Sequence, residues 1–163
     1  MSGDVTLPLP LAIRDLRHED LASCGWMGSL HLVSVGRALD RAAAGEADYL
    51  ALVPPSGMPL AKGGVDYAVR ADAGTLWQLV VFPALRSLGL GTLLIGALEQ
   101  RIRARGLHWA ELGVESSNPR ARALYERLGY TECGTRPESW DRATEDGTLY
   151  RYETVCTVLR KAL

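Results

Sequence analysis

The order of elements between residues 75 and 114 constrains the fold more than any other feature of this sequence. Residues 75–82 and 108–114 have the apolar and alternating patterns of β-strands. Residues 90–105 between them have the pattern of an amphipathic helix, with Leu90, Leu94, Leu98 and Ile102 on one face. Two neighbouring strands that are joined through a helix must run parallel. The sequence therefore predicts a parallel strand pair.

The rest of the chain adds further predicted strands, and the pairing that its turns indicate is antiparallel. An Asp-Ala-Gly turn at residues 72–74 links a predicted strand at 60–69 to the strand at 75–82, which makes those two antiparallel. Other strands are predicted at 11–14, 49–53, from Tyr130 onward and 149–159, and other helices at 19–26, 31–44 and after Asn118. The predicted fold class is α/β, with a mixed, mostly antiparallel sheet, one central parallel pair and helices on both faces. We expect a single domain over residues 1–163.

The charge balance excludes several classes of protein. The chain has 18 lysine and arginine residues against 19 aspartate and glutamate residues, a formal net charge of −1. A dedicated nucleic-acid-binding protein usually carries a basic excess, so no nucleic-acid partner is predicted. No apolar run approaches the roughly 20 residues that span a bilayer, and the first residues lack the basic segment of a secretory leader. We therefore expect a cytoplasmic protein with no membrane partner.

Cysteine and histidine spacing excludes other chemistry. The three cysteines and three histidines form no Cys-x-x-Cys or His-x-x-x-His pair, so no metal site is predicted. The Gly-x-Ser-x-Gly motif of a triad hydrolase is also missing from the sequence.

A loop with two spaced glycines joins the strand at 75–82 to the following helix. Glycine at positions 89 and 91 lets a ligand approach the backbone, and the unpaired N–H groups at a helix N-terminus favour a phosphate. Arg86 at the start of the loop can add a charge-assisted hydrogen bond. A P-loop is excluded because no Gly-Lys pair occurs, and a dinucleotide fingerprint because Leu94 stands in place of its last glycine.

A second motif follows the next predicted strand, and the two motifs together resemble a known family. The second motif is Asn118-x-x-Ala121-x-x-Leu124-Tyr125-x-x-x-Gly129-Tyr130. With this motif, and with Arg86, Gly89 and Gly91 in the loop, the chain resembles the GNAT superfamily of acyl-CoA N-acyltransferases. Members of that superfamily have a Gln/Arg-x-x-Gly-x-Gly/Ala loop, followed later in the chain by a second motif. Residues 118–130 of this sequence match the second motif at every specified position. The likeness is tight over residues 75–135 and extends to the element order of the whole chain.

The resemblance implies acetyl-CoA as co-substrate and a division of the chain into two parts. A core at about residues 75–135 would bind CoA, and elements at about 19–71 and 136–150 would face the acceptor. The central parallel strands would splay apart to admit the thioester. The residues implied in CoA binding are Leu79 and Val81 for the pantetheine arm, Arg86, Ser87, Leu88, Gly89, Leu90, Gly91 and Thr92 for the pyrophosphate, and Asn118 for the arm.

The resemblance also implies catalytic roles. Tyr125 matches the usual general acid, which protonates the departing thiolate. Several members carry a glutamate, as general base, early in the strand before the loop, but residues 75–78 of this chain contain none. Ribosomal-protein acetyltransferases carry a glutamate in a Leu-Glu-Val run on the following strand, and the corresponding run here is Leu-Gly-Val at residues 112–114. Glu111 shares the strand face of Gly113 and is the first candidate base. Glu115, Asp66, Glu153 or a water chain remain open as alternatives.

The function expected from the resemblance is acetyl transfer to a primary amine of a small molecule or peptide, by direct attack in a ternary complex. The alternative is a CoA-binding sensor or regulatory protein without turnover, which the missing glutamates would suit. Acceptor specificity is expected in residues 26–44, in 66–71 and in an acidic loop at 138–147. A solvated hairpin tip accounts for the acidic segment at 138–147 equally well. The chain is expected to be a monomer or a homodimer.

Overall fold

One seven-stranded sheet organises the chain in a computed structural model, which describes residues 3–163. The strands lie in the order β1-β2-β3-β4-β5-β7-β6, and every neighbouring pair is antiparallel except β4 and β5. The strands are β1 (Ala12–Asp15), β2 (Ala47–Val53), β3 (Ala61–Asp66), β4 (Gly74–Val81), β5 (Trp109–Glu115), β6 (Thr131–Ala143) and β7 (Leu149–Ala162). The predicted mixed sheet with one central parallel pair is confirmed.

Three α-helices cover the two faces of this sheet: α1 (Ser29–Ala43), α2 (Leu90–Ala104) and α3 (Pro119–Arg127). The face of α2 that carries Leu94, Leu98 and Ile102 is buried in one core with strands β2 to β5. A second core lies on the other face, where α1 packs on β2. No helix within residues 3–163 combines the length and the apolar character needed to cross a membrane.

The segment predicted as a helix at residues 19–26 is instead two short 3-10 helices, His18–Ser23 and Gly25–Met27. Cys24 between them has a non-helical backbone, and Gly28 ends the second one at a φ of 84°. Gly25 and Gly28 explain why no continuous helix forms here, because glycine lowers the stability of a helix interior and favours turn geometry.

The parallel pairing between β4 and β5 is short, and the two strands separate beyond it. Only Gly74–Leu76 of β4 pairs with Ala110–Leu112 of β5, and no pairing continues beyond those residues. Further along β4 the register with β3 shifts between Lys62 and Gly64, and Gln78 takes a φ of 54°. This β-bulge bends β4 near the point where it leaves β5. A gap therefore opens between the two strands.

Most of the acidic segment at residues 138–147 is strand, so the prediction of a loop is wrong there and the alternative of a hairpin is the one that the structure has. Strand β6 continues to Ala143 and pairs with β7 throughout, so only residues 144–148 form the turn. Cross-strand contacts stabilise this long hairpin: the rings of Trp140 and Tyr152 lie 5.0 Å apart at an angle of 52°, and the Arg142 guanidinium lies 3.6 Å from the Tyr152 ring.

Candidate active site

A cavity of about 670 Å³ lies where β4 leaves β5. Its walls come from the end of β4, the loop that follows, the first turns of α2 and one face of α3. The lining residues are Leu79, Val80, Val81, Arg86, Ser87, Gly89, Gly91, Thr92, Leu94, Ile95, Asn118, Arg120, Ala121, Leu124, Tyr125 and Arg127. The cavity thus has a polar end at the loop and an apolar flank along the helices.

The polar end is built around the start of α2. Gly89 is the N-cap residue at a φ of 85°, and Ser87 has a φ of 64°. Gly89 has no side chain to cap the helix, so the first N–H groups of α2 are left to a ligand or solvent. On the opposite wall, Arg120 donates a hydrogen bond from Nη2 to Ser87 Oγ, which ties α3 to the loop. Backbone N–H groups and arginines together suit a phosphate group.

The strand wall of the cavity is supported from beneath by a buried lysine. Lys62 is fully buried, and its Nζ donates to Tyr49 Oη at 2.6 Å and to the Gln78 carbonyl at 3.3 Å. Tyr49 Oη in turn donates to Gln78 Oε1 at 2.9 Å. Burial lowers the pKa of Lys62 to about 7. The sequence predictions missed this group, and the only signal for it was a lysine within an otherwise apolar strand.

The bulge also needs a glycine. A Cβ on Gly63 would lie 2.5 Å from Leu79 Cδ2, so the side chain of Leu79 occupies the space that Gly63 leaves open. Lys62, Gly63 and Gln78 together therefore fix the course of β4 past the cavity. The backbone groups of β4 that point away from β3 face the gap, because β5 does not pair with them.

Tyr125 contributes the hydroxyl group of the apolar flank. Its ring packs against that of Tyr130, with centroids 6.3 Å apart in an edge-on arrangement. Burial raises the pKa of Tyr125 above its ordinary value. The phenol is therefore protonated at neutral pH, as a proton donor must be.

Most of the residues predicted to bind the cofactor lie together in this cavity, with Tyr125 among them. Those that line it are Leu79, Val81, Arg86, Ser87, Gly89, Gly91, Thr92 and Asn118. Leu88 is 67% exposed outside the cavity, and the side chain of Leu90 is buried in the core below it. Asn118 is the N-cap of α3, as the sequence predicts: its Oδ1 accepts a hydrogen bond from the Ala121 N–H at 3.2 Å.

Glu111 lies apart from Tyr125. Its side chain is on the opposite face of β5, lines a second cavity of about 300 Å³, and accepts a hydrogen bond from Arg136 Nη1 at 2.9 Å. Two of the alternative bases also have partners: Asp66 pairs with Arg41, and Glu115 accepts the Tyr152 hydroxyl. The structure thus brings none of these carboxylates, nor Glu153, into the lining of the large cavity.

The segment before β2 approaches the end of β4. The ring of Trp26 packs edge-on against Phe82 at 5.2 Å. Trp26 Nε1 and His31 Nε2 are buried and have no hydrogen-bond partner among residues 3–163. Burial lowers the pKa of His31 to about 4, so its imidazole is neutral at pH 7.

Comparison with known proteins identifies the domain. A family model described as the acetyltransferase (GNAT) family matches residues 49–130. A mycothiol acetyltransferase from Beutenbergia cavernae is 44% identical over 61 residues, which are 37% of this chain and 20% of that protein. The [ribosomal protein bS18]-alanine N-acetyltransferase of Escherichia coli K12 is 38% identical over 68 residues, 42% of this chain and 46% of that protein. The chain spans less than half the length of these relatives.

Solved structures share the whole fold at low sequence identity. The ribosomal-protein-S18-alanine N-acetyltransferase from Escherichia coli superposes with a TM-score of 0.67 at 22% identity, covering 94% of each chain. The PaiA N-acetyltransferase from Thermoplasma acidophilum, solved in complex with coenzyme A, gives 0.68 at 14% identity, covering 95% of this chain and all of that one. The likeness therefore extends over all the elements described above.

Proposed function

Because this chain belongs to the acetyltransferase (GNAT) family, we propose that it transfers an acetyl group from acetyl-CoA to a primary amine of a small molecule or a peptide. The observation that carries the proposal is the cavity at the splayed end of β4. It joins the uncapped start of α2 to the hydroxyl of Tyr125 in one continuous space. The family motifs fall on the same residues.

The residues of the cavity fit the two ends of CoA. The loop and the first N–H groups of α2, with Arg86 and Arg120 beside them, suit the pyrophosphate. The narrow apolar flank between Leu79, Val81 and Leu124 suits the pantetheine arm, whose amides can pair with the free edge of β4. In this arrangement the arm passes along β4 toward the gap. Acetyl-CoA supplies the thioester as the acyl donor.

The chain's own part in the reaction is mainly positioning. Holding the amine and the thioester together in the gap turns a bimolecular encounter into an effectively unimolecular step. A backbone N–H on the unpaired edge of β4 can polarise the carbonyl oxygen. The amine nitrogen bonds to the carbonyl carbon, the carbon–sulfur bond breaks, and the Tyr125 hydroxyl gives its proton to the departing sulfur. The proton that the nitrogen loses on becoming an amide restores the Tyr125 hydroxyl.

The acceptor proposal starts from the names of relatives. One set of relatives is named for the alanine of ribosomal protein bS18, and one structural neighbour is a spermidine N-acetyltransferase. We therefore propose a peptide α-amine or a polyamine as the first acceptors to try. Both are primary amines that are mostly protonated at neutral pH, so the site must also accept a proton.

The proposal is tested by assaying release of free CoA together with the acetylated product. The acceptors are a peptide that begins with alanine and, separately, spermidine, each with acetyl-CoA, and product is identified by mass spectrometry. Equal amounts of free thiol and N-acetylated amine are expected. Tight acetyl-CoA binding without transfer to a broad amine panel would instead favour a CoA-binding regulatory protein. No binding of acetyl-CoA would contradict both.

A further inference from the structure

Gly113 occupies a special position on β5. The parallel pairing of β5 with β4 ends at Leu112, so Gly113 is the first β5 residue at the gap. Strand alternation places its face opposite to that of Leu112 and Val114, which pack into the core with α2. Position 113 therefore faces the mouth of the gap on the side away from Tyr125. An acceptor that entered from that side would pass it.

The space above Gly113 is filled by a carboxylate from another strand. A Cβ on Gly113 would lie 2.7 Å from Glu138 Oε1 and 3.3 Å from Cys156 Cβ. Glu138 belongs to β6, and its side chain reaches across β7 to this point. The glycine thus makes room for the carboxylate, and position 113 has a negative charge above it without having a charged side chain.

Arg136 fixes this carboxylate in place. Its Nε and Nη2 donate to Glu138 Oε1 at 3.1 and 2.8 Å, while its Nη1 donates to Glu111 Oε1 at 2.9 Å. Both hydrogen bonds to Glu138 end on Oε1, so Oε2 takes none from Arg136. The Glu138 side chain remains 31% exposed, against 4% for that of Glu111. Glu138 is therefore both ordered and reachable, whereas Glu111 is enclosed behind Arg136.

The register of the sheet separates the two carboxylates further. Glu111 lies beside Thr75, within the short paired segment of β4 and β5, where no gap exists. Glu138 reaches the first residue beyond that segment. The charged and titratable groups around Glu138 are Arg136 on its own strand, Glu111 and Glu115 on β5, and Cys156 on β7.

We propose that Glu138 binds the ammonium group of the acceptor at the mouth of the gap and takes its proton. This inference rests on the proposed function. The ammonium gives one proton to the Glu138 carboxylate, and the neutral amine then bonds to the thioester carbonyl carbon. As the carbon–sulfur bond breaks, Tyr125 protonates the sulfur, and the second proton lost from nitrogen returns to the Tyr125 oxygen. Glu138 releases its proton to solvent when the product leaves.

The test compares three variants with acetyl-CoA and the alanine-initiated peptide, or spermidine if the peptide is not acetylated. We expect Glu138→Gln to lower kcat at pH 7 by roughly 100-fold, the usual scale of general acid–base catalysis, with acetyl-CoA affinity unchanged. The matched control is Glu132→Gln on the same strand, whose carboxylate pairs with Arg122 at the surface and should leave kcat unchanged. Glu111→Gln should not reproduce the loss.

A double variant separates a catalytic carboxylate from a structural one. Glu138→Ala vacates the space above position 113, and Gly113→Glu combined with it returns a carboxylate there from β5, with a small adjustment at Cys156. We expect the double variant to regain about tenfold in kcat over Glu138→Ala. Wild-type kcat in Glu138→Gln, or no regain in the double variant, would overturn this inference alone. Failure of the wild-type chain to acetylate either amine would overturn the proposed function and this inference with it.

Discussion

Tyr125 lines the apolar flank of the large cavity and carries a hydroxyl group there. The ring is held on α3 by its contact with Tyr130, so its position does not depend on the hydroxyl. Burial keeps the phenol protonated at neutral pH. The role of this residue can therefore be tested by removing a single oxygen atom.

We expect Tyr125→Phe to lower kcat by about 100-fold while acetyl-CoA binds as tightly as before, because only proton donation to the thiolate is lost. Steady-state kinetics and calorimetric titration with acetyl-CoA measure the two effects. Tyr130→Phe is the matched control: it removes the neighbouring hydroxyl, which donates to Glu99 at 2.9 Å in the core. The control should lose about 2 kcal/mol of stability, because its hydroxyl donates to a buried carboxylate, and should keep its kcat. An unchanged kcat in Tyr125→Phe would contradict the assignment.

The residues of the candidate site differ in how well the sequence alone predicts their positions. Tyr125 and Asn118 lie within a short local motif, so their spacing was enough to bring them to the cavity. Glu138 could not be found this way, because its place above Gly113 depends on the register of β6, β7 and β5. Lys62 was missed for a similar reason, since its partners come from β2 and β4.

The side chains at the start of α2 determine whether a phosphate can reach the first backbone N–H groups of this helix. Gly91 lies one residue inside the helix and lines the cavity. A Cβ there would meet Leu124 Cδ2 at 3.5 Å, an ordinary contact, so alanine fits without strain in the free protein. Alanine is also one of the two residues that the family loop carries at this position, whereas the branched side chain of valine would occupy the space between the helix and a bound pyrophosphate.

We expect Gly91→Ala to stabilise the chain and Gly91→Val to weaken the binding of acetyl-CoA. Gly91→Ala should raise the free energy of unfolding by up to about 1 kcal/mol, because alanine favours the helix over glycine. The rise in melting temperature that acetyl-CoA produces should persist in Gly91→Ala and shrink in Gly91→Val. Gly96→Ala is the control on the same helix, where a Cβ meets nothing within 4 Å and the cavity is not touched. A Gly91→Val variant that binds acetyl-CoA as well as the control would show that the pyrophosphate lies elsewhere.

Elements with strong local signals were predicted well, and those that depend on packing were not. The apolar face of α2, the N-cap of α3 and the parallel pair followed from periodicity, capping residues and connectivity. The hairpin of β6 and β7 was predicted too short, because the Trp140–Tyr152 contact forms only when the strands pair. The bulge in β4 left no local signal beyond the glycines of β3.

For the whole molecule, burial of the Lys62 ammonium in β3 makes stability depend on pH. The folded protein lowers the pKa of this lysine to about 7 through burial, whereas an unfolded chain would have it at about 10.4. Between these values the unfolded state binds more protons than the folded state. The free energy of unfolding therefore rises with pH in that range.

We expect this single group to add about 1.5 kcal/mol to the free energy of unfolding between pH 7 and pH 8.5. Urea denaturation of the wild-type chain and of Lys62→Met across that range measures the effect. The difference between the two chains should grow in favour of the wild type as pH rises. The range stops at pH 8.5 because the pKa of Cys156, raised to about 11 chiefly by burial, acts in the opposite sense at higher pH. Parallel pH profiles would show that Lys62 stays charged in the folded protein.

We propose that the cavity between β4 and α3 binds acetyl-CoA, with the pyrophosphate at the start of α2 and the thioester beside Tyr125. Isothermal titration of the wild-type chain with acetyl-CoA measures this binding, with ATP as the control ligand that lacks the pantetheine arm. We expect saturable binding of one acetyl-CoA per chain, and much weaker binding of ATP. No binding of acetyl-CoA, or equal binding of the two ligands, would contradict it.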